Sequence, residues 1–162
     1  MDLGSNPFIV LSYVSGPALL TNATSLLLLS TTNRFGRTLD RSRELAARLS
    51  DAGAHPRAVA LDKQMVMVQR RARYMARALF GLYLSVAMFA LATLGSIIGA
   101  ALAEVGFEGS MLAALGLAML AVLVGFVALA SAAISMVAES RLAMQSLALE
   151  ADEAASSTRP RP

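Results

Sequence analysis

The side chains with the most chemical capacity in this chain are its arginines, and they are gathered in one stretch. Residues 1–33 and 78–140 hold no Lys or Arg, whereas residues 34–77 hold eleven of the fourteen basic residues. One run, from Thr32 to Arg43, carries Arg34, Arg37, Arg41 and Arg43 around Asp40. A second carries Arg70, Arg71, Arg73 and Arg77. Arg37 and Asp40 are three apart and Asp40 and Glu44 four apart, so on a helix Asp40 can bridge neighbouring arginines. Such a cluster can stop translocation, bind anionic lipid headgroups, or bind nucleic acid. Nucleic acid is the weakest of these, because no aromatic platform or recognisable motif accompanies the charge.

Other chemistry is scarce. There is no cysteine, one histidine and no tryptophan. Thiol catalysis and thiolate metal sites are therefore excluded. A metal centre would rest on one imidazole and scattered carboxylates. His55 sits beside Pro56 with no convergent carboxylate or nucleophile, and it reads as a solvated loop residue. No cofactor and no catalytic set is expected, so the chain is expected not to be an enzyme.

The elements that hold the arginines are apolar. Of 162 residues, 56% are hydrophobic and 15% charged, against about 25% charged in soluble domains. Three segments, about 7–30, 78–103 and 111–138, are long enough to cross a ~30 Å hydrocarbon core. The basic loop marks the cytoplasmic side. The expected fold is all-α: three transmembrane helices, N-terminus outside and C-terminus cytoplasmic, in a bacterial inner membrane. Residues 33–77 form a basic cytoplasmic helical hairpin extending the first two helices, broken near 51–57. The short stretch after Ala103 makes segments two and three an antiparallel pair. Residues 1–151 form one membrane domain, and 152–162 read as a disordered tail. The opening Met1-Asp2-Leu3-Gly4 lacks the basic start of a cleaved signal peptide, so the first segment is expected to be retained.

Segment one is interrupted by polar residues. Pro17 removes a backbone donor, and Ser12, Ser15, Thr21, Asn22 and Ser25 lie around it. These residues can hydrogen-bond between helices, or line a solute path. No ionisable residue stands mid-segment, which counts against a proton relay or ion-coupled transport. Gly95 and Gly99 form a GxxxG, with Ser12/Gly16 and Gly125/Ala128/Ala132 as looser small-residue faces. Such faces serve packing within one chain or self-association. Glu139 and Arg141 should end segment three at the level of the arginine runs.

Gly16-Pro17, Thr32-Asn33-Arg34, Asp40-Arg41-Ser42-Arg43 and Arg70-Arg71-Ala72-Arg73, in this order around three apolar segments, resemble the bacterial membrane family known as domain of unknown function 2721. The likeness covers about residues 7–149 and departs at Phe35-Gly36, where a glycine stands in the exit helix. It implies location and topology and supplies no activity. The expected function is a non-enzymatic integral membrane protein that acts by helix association, as an oligomeric scaffold or accessory subunit. Its partners would be anionic lipids and either its own copies or another membrane protein, and not nucleic acid. The alternative is a passive homo-oligomeric channel for ions or small solutes.

Overall fold

The computed structural model describes residues 7–52, 57–106 and 108–157. They form three helices: α1 (Pro7–Ala52), α2 (Arg57–Glu104) and α3 (Glu108–Ser157). The helices have 46, 48 and 50 residues. At about 1.5 Å per residue each is ~70 Å long, more than twice a bilayer core. Among the described residues, two stretches are long and apolar enough to cross a membrane, Leu61–Glu104 and Gly109–Gln145. The first helix is not one of them. Its apolar half is diluted by Ser15, Thr21, Asn22, Thr24 and Ser25.

Neither Pro17 nor Gly36 ends α1. Helix α2 is likewise continuous from its basic half into its apolar half. Between α2 and α3, Gly106 has φ of 81° and its N–H donates to the Ala103 carbonyl at 3.3 Å. That is the left-handed residue that commonly closes a helix C-terminus, and glycine adopts it without a Cβ penalty. Helix α3 runs on to Ser157, past Asp152, where the composition predicts disorder. Leu147, Ala148, Leu149, Glu150, Ala151, Glu153 and Ala154 are all strong helix formers and carry it. His55, Pro56, Phe107 and residues 158–162 lie outside the described residues, as does the side chain of Ser12.

Contacts divide the chain into two compact units, Met1–Ser30 with Leu79–Ala132, and Thr31–Ala78 with Ala133–Pro162. In the first unit α2 and α3 run antiparallel. A Cβ on Gly81 would meet Ala128 and Ala132, Phe89 lies on Gly125, Gly95 faces Ala118, and Gly99 faces Leu115. Buried positions on α2 are Leu82, Ser85, Phe89, Ala92 and Ser96; on α3 they are Ala118, Ala121, Gly125, Ala128 and Ala132. They alternate three and four apart, which is the seam of a left-handed coiled coil. The buried side chains are mostly small, while Leu19, Leu26, Phe80, Leu117, Met119 and Val127 point outward. A soluble protein would bury those large side chains; small residues inside and large apolar ones outside is how membrane helices pack.

In the second unit α1 and α3 run parallel. Thr31 donates to the Met136 sulfur at 3.8 Å, and three residues along both helices Arg34 reaches Glu139. Thr38 donates to the Met75 sulfur of α2 at 3.4 Å, and Leu45 and Ala78 are buried in the same unit. Along α1 the buried residues Thr24, Thr31, Thr38 and Leu45 recur every seven.

Candidate functional site: a buried carboxylate between two arginines

Glu139 is an acidic side chain at the end of the longest apolar run, and it turns inward. Its side chain is 1% exposed, against 37% for Arg34 and 28% for Arg71. Arg34 Nη2 donates to Oε2 at 2.5 Å. Arg71 donates to Oε1 twice, from Nε at 3.1 Å and Nη2 at 2.9 Å. Residues from all three helices thus meet on one carboxylate. A buried charge is tolerable only when paired and hydrogen-bonded. Here both oxygens are taken, and the two guanidiniums keep part of their hydration. Helix α1 braces its end of the cluster through Thr38, whose single hydroxyl hydrogen is shared between the Arg34 carbonyl at 3.1 Å and the Met75 sulfur. With one negative and two positive groups, the arrangement suits a clamp on three helices more than proton transfer.

Of the charged residues singled out in the sequence, the structure brings together Arg34, Arg71 and Glu139. The others stay on the surface. Arg37 donates to its own helix at the Asn33 carbonyl, 3.4 Å away. Asp40 pairs with Arg43 at 3.6 Å, one turn further along rather than with Arg37. Arg41 and Arg48 both reach Glu44. Arg70 and Arg73 are exposed, and the Arg77 guanidinium lies 5.8 Å from the Tyr74 ring centroid.

The hydrogen bond from Arg41, then the charge of Arg48, hold the Glu44 carboxyl below its ordinary value. A lowered value means the pair supports the fold at neutral pH and loses that support only as pH falls through the lowered value. All three side chains are water-exposed, so Glu44→Gln is expected to leave the thermal midpoint near wild type at pH 7. A large drop would mark this pair as structural.

The packing residues divide similarly. Gly95 and Gly99 face α3 of the same chain, with Ala118 Cβ and Leu115 Cδ2 each 3.2 Å from where a Cβ would stand. Gly16 has nothing within 4 Å. With Pro17, Leu20, Ser96, Leu115 and Ala118 it lines a cavity of about 360 Å³. Thr21 donates to the Pro17 carbonyl, Thr24 to Leu20 and Ser25 to Thr21, at 2.9, 2.7 and 2.8 Å. These hydroxyls are closed on their own helix rather than reaching another. Asn22 is exposed.

Two features escape a sequence search by charge or motif. One is the seven-residue recurrence of Thr24, Thr31 and Thr38, visible only if threonine is counted as a core residue. The other is a groove of about 310 Å³ lined by Arg34, Met136, Val137, Ser140, Arg141 and Met144. Among the described residues no group of three or more His, Asp or Glu stands ready to hold a metal.

Residues 14–149 match the model of the family described as "Protein of unknown function (DUF2721)". No curated protein and no solved structure matches the chain.

Proposed function

We propose, for a chain that belongs to the family described as "Protein of unknown function (DUF2721)", a non-enzymatic role in the bacterial inner membrane, exerted by helix association. The protein would serve as an oligomeric scaffold or as an accessory subunit of a membrane complex. In this reading α1 crosses as well, giving three crossings with the N-terminus outside and the C-terminus cytoplasmic. Residues 33–77 are then a basic cytoplasmic hairpin among anionic headgroups. The charge asymmetry supports the topology. The saturated carboxylate at Glu139 supports a structural role for the charged cluster.

The observation that carries association is Asn22. Its amide is exposed on α1 near Leu19, Leu26 and Leu29, all exposed too, and it has no partner among the described residues. An amide facing lipid seeks a partner on another helix, worth ~0.6–2 kcal/mol. A second copy or a partner subunit supplies one. Gly95 and Gly99 carry no such argument, since they are already covered by α3.

Native mass spectrometry of the protein, extracted from its own membrane in mild detergent, tests this. A defined multimer or a stoichiometric second protein is expected, and Asn22→Leu should weaken that association about three- to thirtyfold. Monomers alone would sink the proposal. The channel alternative rests on the polar line of α1. Thr21, Thr24 and Ser25 already donate to their own backbone, which leaves that line few free donors for a solute.

A further inference from the structure

The groove beside the triad, rather than the triad itself, has capacity to spare. Arg34 and Arg141 stand at it, and Met136, Val137 and Met144 line the rest with Ser140 between. Arg34 is the first basic residue after the first apolar segment, and Arg141 the first after the third. Arg34 spends one nitrogen on Glu139 Oε2, and a guanidinium has five N–H donors. Arg141 is exposed and forms no ion pair among the described residues. The nearby acid, Glu139, is covered, and both its oxygens are taken, so it offers an incoming anion little repulsion. Val137 and Met144 are 55% and 72% exposed. Met136 and Val137 lie on the membrane side of the two cations, and cations beside such an apolar surface match a molecule that is anionic at one end and apolar at the other.

We infer that this groove is a discrete site for one anionic phospholipid. Its phosphate lies between Arg34 and Arg141, with the Ser140 hydroxyl donating to it. The upper part of an acyl chain covers Met136 and Val137, on the membrane side of the two arginines. The inference rests on the membrane placement proposed above and sharpens it. The exposed arginines elsewhere attract headgroups diffusely, whereas this groove holds one lipid by both its ends. A free phosphate would leave the trough bare.

The test is native mass spectrometry of the full chain in mild detergent, with phosphatidylglycerol and phosphatidylcholine of identical acyl chains added. Wild type is expected to retain one phosphatidylglycerol per chain in preference to phosphatidylcholine. Arg141→Gln should retain it about fivefold more weakly, the loss of one basic residue at a membrane surface. Arg73→Gln, an exposed cation away from the groove, should match wild type. Glycerol phosphate, which has no acyl chain, should not displace the lipid. Equal retention by Arg141→Gln and wild type, or an equal loss in Arg73→Gln, overturns the discrete site in favour of a diffuse collar. Displacement by glycerol phosphate overturns the lipid in favour of a phosphate site. Retention of both lipids alike overturns the groove and leaves the membrane reading standing, whereas retention of neither overturns both.

Discussion

Replacing Glu139 with glutamine is expected to destabilise the protein by about 3 kcal/mol, among the largest effects of any single charge change in the chain. The size of the side chain is kept, so the loss is one of charge. Arg34 and Arg71 would then converge on a neutral amide that can accept at one atom only. Removing one partner of a buried pair typically costs ~3–5 kcal/mol, because the remaining charge is left uncompensated. The lower end applies here, since the arginine side chains are 37% and 28% exposed and water can take up part of their charge. Glu139→Ala should cost more, by adding a void where three helices meet. The triple change Arg34→Met, Glu139→Leu and Arg71→Met separates charge from packing. Replacing a whole buried ionic cluster by apolar residues of similar volume is often neutral or stabilising, so the triple variant should recover most of the loss. Unfolding in detergent, followed by helical signal, measures all three. Wild-type stability in Glu139→Gln would mean that the triad holds nothing together.

The triad also marks how far the sequence could be read. Long, largely apolar runs on either side of a basic stretch are enough to predict helices, because length and composition decide that question. Helix through the basic stretch follows from its own apolar stripe, whereas continuity through Gly36 is supplied by the fold. Glu139 could be placed near the arginine level, since all three apolar segments end there. Its choice of Arg34 and Arg71 over Arg37, Arg41 or Arg70 could not be read, because that choice depends on helix rotation. In an ordinary amphipathic helix rotation is set by a polar face and an apolar face. In the membrane-spanning parts of α2 and α3 nearly every position is apolar, and that contrast is missing. The information lies instead in size: Ala, Ser, Gly and Thr inward, Leu, Phe and Ile outward. Gly95-xxx-Gly99 and Gly125/Ala128/Ala132 were visible as small-residue faces, and both lie on the α2–α3 seam. That the first meets Ala114, Leu115 and Ala118 and the second Gly81 and Phe89, rather than a second chain, is a matter of register that only the fold supplies.

The same seam sets the second large effect. A Cβ on Gly125 would stand 2.6 Å from Phe89 Cε1 and 2.9 Å from Cδ1. Phe89 is fully buried, with its ring edge-on to Phe126 at a centroid distance of 5.5 Å. The ring has nowhere to go without moving a helix, so Gly125→Ala is expected to cost about 1–3 kcal/mol despite alanine's better helix propensity. Shrinking the ring should relieve it. Gly125→Ala combined with Phe89→Leu should lose less than the two single changes together, with a coupling of about 1 kcal/mol or more. Gly81 is the contrasting case. Its Cβ would meet the Ala128 carbonyl oxygen at 2.9 Å and Ala132 Cβ at 3.0 Å. A backbone oxygen cannot be trimmed, so Gly81→Ala should be at least as damaging, and no side-chain change on α3 should restore it fully. Gly116, with nothing within 4 Å, is the control, and Gly116→Ala should be neutral or gain up to ~1 kcal/mol. Unfolding midpoints of the five variants in one detergent decide the matter. If Phe89→Leu fails to rescue Gly125→Ala, or if Gly116→Ala falls as far as Gly81→Ala, then close approach at the seam is not what these glycines provide, and the antiparallel register of α2 and α3 is wrong.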